Sequence, residues 1–170
     1  MICSLLVAST LLERAPLDIE SLMIGSWVGT LEYRDFSDNS RERLGTLLRI
    51  FRDKSSGRLV LRYVYDDGPT KVVQDRDEVT VDAASGKYTV FDSTGKPNDM
   101  YSFSPPVAWN SKGKNSIVLS GRGTENGSAV EIRQTLKIEP DKLEILRESR
   151  LAGQPFAFRH EYRFNRVSRP

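Results

Sequence analysis

The sequence predicts an all-β protein, an antiparallel up-and-down β-barrel of about ten strands that follows a short N-terminal helix. Three observations predict this class. Apolar and polar residues alternate with a period of two along most of the chain after residue 25. Turns rich in Gly, Pro, Asn and Asp separate the alternating segments, and no later segment is helical enough to make a parallel crossover. Because the connections are mostly short and sequential, a barrel is favoured over a sandwich with Greek-key crossovers.

Two regions are predicted: an apolar arm with a short helix in residues 1–24, and a single barrel domain in residues 25–170. Residues 2–12 are apolar but far fewer than the ~20 residues that span a bilayer, so no membrane span is expected. They are either a remnant of a secretory signal, which implies a periplasmic or secreted protein, or a native arm of a cytoplasmic one. Pro16 then places a short helix at about residues 17–23.

The strands are predicted from alternation and from the turns between them. Residues 53–57 make a hairpin turn, and the turns at residues 139–141 and 152–155 join the last three strands into a meander. The predicted strands are 26–34, 44–52, 58–65, 70–74, 78–82, 87–91, 100–103, 116–121, 129–138, 142–151 and 156–166.

Composition excludes several classes of function. The 170 residues, 38% of them hydrophobic, are sufficient for one domain with its own core. The 25 Lys and Arg residues nearly balance the 23 Asp and Glu residues along the chain, which argues against a nucleic-acid partner. One cysteine, Cys3, and one histidine, His160, exclude a disulfide framework, a multi-cysteine metal site and a His-rich zinc centre. We therefore assign no metal ligand and no catalytic residue.

A family resemblance begins where the short helix runs into the first strand. Gly25 and Trp27, followed by Gly29, are similar to the Gly-x-Trp opening of the lipocalins and the wider calycin superfamily. In that family the Trp lies at the closed end of the barrel and an Arg from a late strand lies across its ring. The resemblance implies this structural role for Trp27, Gly25 and either Arg163 or Arg166. The family's usual disulfides are absent, so the resemblance is to a distant, bacterial-type relative.

Alternation also sorts the last predicted strand into an inner and an outer face. The inner face is expected to hold the lone histidine. Its predicted members are Phe156, Phe158, His160, Tyr162 and Phe164.

The two turns of the meander predict a row of polar groups on that inner face. Gln134 is expected opposite Arg147, and Arg147 opposite His160. A buried Arg is costly unless it meets an anion or several acceptors. One interpretation is a polar anchor in an apolar cavity, with Arg147 holding an acidic group of a ligand. The other is that the row lies at the barrel mouth or that Arg147 pairs with an internal carboxylate.

The leading hypothesis is therefore a non-enzymatic protein that binds a small, mostly apolar ligand inside the barrel. The partner would be a small hydrophobic or amphipathic molecule, and no cofactor is expected. Trp109, in a loop-like stretch, is predicted as a lid aromatic. The predicted ligand-binding residues are Gln134, Arg147, His160, Tyr162, Phe158 and Trp109.

Two alternatives depend on His160. Gln154 and Pro155 shortly before His160 resemble the corresponding region of nitrobindin-type barrels, which implies haem binding through that histidine. His160 could instead serve as the general base of a barrel enzyme. The acids at residues 66–67 and 75–78 are interpreted as solvated loop carboxylates. Gly121 and Gly123 are not followed by a helix and do not form a dinucleotide fingerprint.

Overall fold

The structure, a computed structural model, describes residues 19–35, 37–104 and 113–168. Within these residues it is a closed barrel of ten antiparallel strands preceded by one short helix, as predicted. The helix α1 spans Ile19–Met23. The strands are β1 Gly25–Arg34, β2 Arg41–Arg52, β3 Leu59–Asp66, β4 Val72–Asp82, β5 Lys87–Phe91, β6 Pro97–Ser102, β7 Asn115–Glu125, β8 Ser128–Ile138, β9 Lys142–Arg150 and β10 Ala157–Ser168.

Strand order follows sequence order around the barrel, and β1 closes the sheet by pairing with β10. Every ladder is antiparallel, which confirms the up-and-down arrangement. The predicted strands 70–74 and 78–82 are one continuous strand, β4. Residues 1–18 of the predicted N-terminal region 1–24 and the predicted lid residue Trp109 lie outside the described residues.

Helix α1 covers one end of the barrel, which we call the closed end. Met23 is completely buried in the core cluster, and its carbonyl accepts a 3.0 Å hydrogen bond from Nε1 of Trp27. The Arg166 guanidinium lies 3.9 Å from the centroid of the Trp27 ring. The same guanidinium donates to the carbonyls of Leu22 and Ile24 at 2.7 Å and 2.6 Å. Trp27 and Arg166 thus satisfy carbonyl groups that the end of a short helix leaves without partners.

Arg166, and not Arg163, therefore takes the position across the Trp27 ring. Arg163 lies on the outer face and pairs with Glu161 at 2.5 Å. Arg166 follows Phe164 by two residues and therefore shares its inner face, and the β1–β10 ladder pairs Arg166 directly with Trp27. Gly25, at the start of β1, is buried and has φ = 149°, a conformation that favours glycine.

The seam between β1 and β10 depends on Gly29. Gly29 faces Phe164 across the ladder, and a Cβ atom at Gly29 would lie only 1.9 Å from the carbonyl oxygen of Arg163. No side chain fits in that distance. Glycine at this position lets the two backbones approach closely enough to close the barrel.

The barrel wall is incomplete on the side of the short β5–β6 hairpin. β5 pairs with β4 only along residues 78–82, and β6 pairs with β7 only at Tyr101–Gly121 and Ser102–Ser120. Residues 72–77 of β4 therefore have no ladder partner on that side in the described chain. We call this gap, at the end of the barrel away from α1, the notch.

The core fills the half of the barrel next to α1, where strand ends carry fully buried side chains such as Leu59, Ile138 and Leu143. The other half holds polar side chains on the inner face, as described below. Among the residues that the structure describes, no helix has the length and apolar character needed to cross a bilayer.

Candidate functional site

A cavity of about 230 Å³ lies inside the barrel, above the apolar core. It is smaller than the roughly 300–1,000 Å³ of typical pockets for drug-sized ligands. Inward-facing side chains of seven strands surround it, and most of them are polar. The wall consists of Leu61, Tyr63, Asp75, Asp77, Tyr88, Val90, Asn98, Asp99, Tyr101, Gln134, Ile145, Arg147, His160 and Tyr162.

The structure contains the polar row that the turns predict. Gln134 pairs with Arg147 between β8 and β9, and Arg147 pairs with His160 between β9 and β10. All three side chains border the cavity, together with Tyr162. Four of the six predicted ligand-binding residues are thus brought to one enclosed space.

Phe158 is not among them, because the face predicted for it is wrong. The β9–β10 ladder shifts between Phe158 and His160, so that Phe158 lies opposite Glu148. A β-bulge inserts one extra residue at this point and reverses the alternation before it. Phe158 therefore lies on the outer face, where the Arg41 guanidinium is 4.0 Å from its ring centroid.

The residue inserted by the bulge, Arg159, turns to the inner face instead. It donates a hydrogen bond to the hydroxyl of buried Ser149 and forms an ion pair with Glu125 at 2.8 Å. Phe156 is also outside, with the guanidinium groups of Arg133 and Arg150 at 4.2 Å and 4.4 Å from its ring centroid. Phe156 and Phe158 therefore pack against arginine side chains on the outer face and do not line the cavity.

Arg147 is held in place by Tyr101. Its Nη1 atom donates a 3.2 Å hydrogen bond to the Tyr101 hydroxyl, and no described carboxylate forms an ion pair with it. A Cβ atom at Gly121 would lie 2.6 Å from Cδ1 of Tyr101, so glycine leaves room for that ring. The sequence alone assigns no role to Gly121, and the structure gives it this one.

His160 faces the cavity as a neutral imidazole. Burial, and secondarily the charge of Arg147, lowers the pKa of His160 to about 4. Its ring packs edge-on against Tyr162, with 5.4 Å between centroids. Among the described residues His160 has no hydrogen-bond partner.

Three carboxylates border the cavity opposite this row, and two of them correct a sequence-based interpretation. Asp75 and Asp77, interpreted as loop residues, belong to β4 and lie on the same face as buried Val79. Asp99 joins them from β6. Burial, and then the charges of Asp75 and Asp99, raises the pKa of Asp77 to about 6.

The alternation of Asp75, Asp77 and Val79 is the feature that could have placed these acids inside the barrel. The other acids of the same segments do not line the cavity. Asp67 pairs with Lys71 in a turn, and Glu78 pairs with Arg58 and Arg76 on the outer face.

Tyrosines cover much of the remaining wall. Tyr63 stacks on Tyr65 at 5.9 Å between centroids, and the hydroxyl of Tyr65 lies 3.0 Å from that of Tyr162. Burial raises the pKa of Tyr162 to about 12, so its hydroxyl stays protonated at neutral pH. The side chains of Tyr63 and Tyr88 are 5% and 3% exposed, and neither hydroxyl has a hydrogen-bond partner among the described residues.

A second cavity of about 590 Å³ lies at the barrel mouth and shares Arg147 and His160 with the first. Its other lining residues include Tyr33 and Asp35 at the end of β1 and Glu125 at the end of β7. Arg147 and His160 therefore lie between the mouth and the interior. No three His, Cys, Asp or Glu side chains in the described chain are grouped so as to hold a metal ion.

Comparison with known proteins gives a weak structural likeness. No family model and no curated protein matches the chain. Among solved structures, the chain is similar to a protein of unknown function from the DUF3598 family of Nostoc punctiforme, at 14% identity and a TM-score of 0.45. The match covers 95% of this chain and 54% of that one, so the chain spans about half of that protein. The ten-stranded barrel is established by the chain's own strand pairing.

Proposed function

We propose that this protein is a non-enzymatic binding protein that holds a small molecule inside its barrel. The supporting observation is that Gln134, Arg147, His160 and Tyr162, from three neighbouring strands, border one enclosed cavity. The side chains of Gln134 and His160 make no hydrogen bond to a described residue. Polar groups inside proteins normally have partners, and in a cavity a ligand can provide them.

The cavity wall provides both parts of an amphipathic binding site. Leu61, Val90 and Ile145 form its apolar part, on which a short hydrocarbon segment can pack. Arg147 supplies a cation that no described carboxylate neutralises, which suits an acidic group or another acceptor on the ligand.

We also propose a distant, bacterial-type relation to the lipocalins and calycins. Its support is the arrangement at the closed end, where Arg166 covers the Trp27 ring and both side chains hold helix α1. This is the contact that the resemblance of the first strand implies.

A barrel enzyme is the second candidate, and the observation in its favour concerns Asp77 rather than His160. The pKa of Asp77, raised to about 6, lies near neutral pH, where a general base works best. The pKa of His160, lowered to about 4, makes the imidazole a weaker base. Turnover that is lost in Asp77→Asn while binding is retained would favour the enzyme.

Haem binding through His160 is a further alternative, and the interior of the barrel gives it little support. Tyr162 packs against the imidazole, Arg147 lies beside it, and the interior cavity measures only about 230 Å³. Titration with ferric haem tests this alternative directly, because coordination would shift the Soret absorbance in the unmodified protein and not in His160→Ala.

A fragment-binding experiment tests the proposed function. A mixture of cationic, anionic and neutral fragments is examined by saturation-transfer NMR with the unmodified protein, Gln134→Phe and Thr135→Phe. Gln134→Phe fills the cavity, whereas Thr135→Phe adds the same ring on the opposite face of β8. We expect binding to the unmodified protein and to Thr135→Phe and its loss in Gln134→Phe, with all three folded by circular dichroism. Absence of binding, or equal binding to both variants, would refute the proposal.

A further inference from the structure

The charges of the interior cavity are separated across the barrel. Arg147 is on β9 and Asp77 is on β4, and four strands lie between β9 and β4 in either direction around the closed sheet. The two side chains therefore reach the cavity from opposite walls. Neither forms an ion pair with a described residue.

The wall that carries Asp77, which we call the acidic wall, holds more charged groups than the wall that carries Arg147. Asp75 and Asp99 lie beside Asp77, whereas Arg147 is the one guanidinium that lines this cavity in the described chain, and His160 is neutral. An anionic ligand placed at Arg147 alone would thus face three carboxylates, and like charges in a low-dielectric space repel strongly. A positive group at the acidic wall relieves that repulsion.

Independent support for a polar ligand comes from Tyr63 and Tyr88, which are more than nine-tenths buried and have no hydrogen-bond partner among the described residues. Every fully enclosed side-chain nitrogen or oxygen in the described chain has a partner, so these two hydroxyls must border open space. The space that both residues line is the interior cavity. Tyrosine rings also attract cations through their faces.

The size of the cavity limits what can occupy it. Its volume of about 230 Å³ equals that of roughly eight water molecules at ~30 Å³ each. A ligand that fills it at liquid density therefore has roughly eight non-hydrogen atoms.

From these observations we propose that the ligand class is a small molecule with an ammonium group at one end and a carboxylate at the other. The ammonium group lies against Asp77, Asp75 and Asp99, and the carboxylate accepts hydrogen bonds from Arg147. A short hydrocarbon chain between the two groups packs on Val90 and Ile145. This inference rests on the proposed binding function and specifies its ligand.

Four probes of nearly equal size test the charge arrangement in saturation-transfer NMR titrations at pH 7.5. They are γ-aminobutyrate, its isomer α-aminobutyrate, n-butylamine and butyrate. We expect γ-aminobutyrate to bind about tenfold or more tightly than butyrate, because only the former neutralises both walls. The α isomer should bind more weakly than the γ isomer, since its two charged groups are attached to the same carbon and cannot reach opposite walls.

Two variants test which side chain binds each charged end of γ-aminobutyrate. Asp77→Asn should weaken the binding of γ-aminobutyrate and n-butylamine by about tenfold and should strengthen that of butyrate, because it removes one of the carboxylates that repel an anion. Arg147→Met should weaken the binding of γ-aminobutyrate and should not weaken that of n-butylamine. Asp66→Asn, which removes an exposed carboxylate on neighbouring β3, is the control and should leave all four affinities unchanged.

The outcomes separate this inference from the proposed function. If γ-aminobutyrate binds no more tightly than butyrate, or if Asp77→Asn changes nothing, the amphoteric ligand class is refuted although the barrel still binds small molecules. If the fragment mixture binds but none of the four probes does, the same conclusion holds. If neither the mixture nor the probes bind, the proposed function and the inference fail together.

Discussion

Gly121 lies directly beneath the ring of Tyr101, whose hydroxyl accepts the hydrogen bond that holds Arg147 at the cavity. Adding a methyl group in Gly121→Ala should displace the ring and destabilise the fold by about 1–3 kcal/mol, as overpacking does. The expected loss of the Arg147 contact should also weaken binding of γ-aminobutyrate.

A double-mutant cycle isolates this contact. The free energy of unfolding is measured in urea for Gly121→Ala, Tyr101→Ala and the double variant. Because removing the ring removes the clash, the cost of Gly121→Ala should largely vanish in the Tyr101→Ala background. Additive costs in the cycle would contradict the proposed steric cause.

The barrel seam provides a second prediction. Gly29→Ala places a methyl group on the backbone of β10, at 1.9 Å from a carbonyl oxygen, and should cost about 3 kcal/mol or more or prevent folding. Gly45→Ala is the matched control on neighbouring β2, where the added atom meets its nearest neighbour at an ordinary 3.7 Å. Its thermal midpoint should be unchanged or slightly raised. Equal midpoints for the two variants would show that the seam tolerates a side chain.

Arg166 should contribute strongly to stability, whereas Arg163, three residues earlier in β10, should not. Arg166→Met removes hydrogen bonds to the carbonyls of Leu22 and Ile24 and a cation-π contact, and we expect a loss of about 2–4 kcal/mol. Arg163→Met breaks an exposed ion pair and should cost less than about 1 kcal/mol. Urea denaturation of both variants checks the difference, and similar losses would contradict the role given to Arg166.

Asp77 should lower stability at neutral pH. Its pKa is raised from 3.8 to about 6 in the folded protein, so the unfolded chain ionises first as the pH rises. Above pH 6 this should cost about 2–3 kcal/mol, and below pH 3.8 it should cost nothing. Asp77→Asn should therefore be more stable than the unmodified protein at pH 7.5, with the difference disappearing as the pH falls through this window.

The measurement is the free energy of unfolding of both proteins between pH 3.5 and pH 8. Asp75, Asp99 and Arg147 line the same cavity and are present in both proteins, so the difference curve reports the removal of the Asp77 carboxylate. A flat difference curve would show that Asp77 is solvated.

The sequence predicts the fold well because nearly every strand of an up-and-down barrel carries its own alternation. The predicted pairing of Arg147 with His160 assumes one register for the whole β9–β10 ladder. The start of β10 does not have that register. The bulge at Arg159 shifts the ladder by one residue and restores that register. Phe158, which precedes the bulge, is consequently misplaced, since nothing in the local pattern marks the inserted residue.

The position of the acidic residues on β4 is hard to predict for a different reason from that of Phe158. Residues 75–77 are predicted as a polar loop between two strands because the first half of β4 lacks a strand neighbour at the notch and is exposed on both faces. Hydrophobic periodicity reveals a strand only where one face is covered. Asp75 and Asp77 line a cavity at that uncovered position, and their alternation with buried Val79 is the one sequence feature that marks their face.

Nine of the ten ladders join strands adjacent in sequence, and only the β1–β10 ladder brings the two ends of the described chain together. The entropic cost of closing a long segment into a loop is therefore concentrated in one folding step, the formation of the β1–β10 ladder. We expect a curved meander to assemble first and the cylinder to be sealed last, at Gly29. Before that step the sheet is open and encloses no cavity. The proposed ligand can therefore bind only after the β1–β10 ladder has formed.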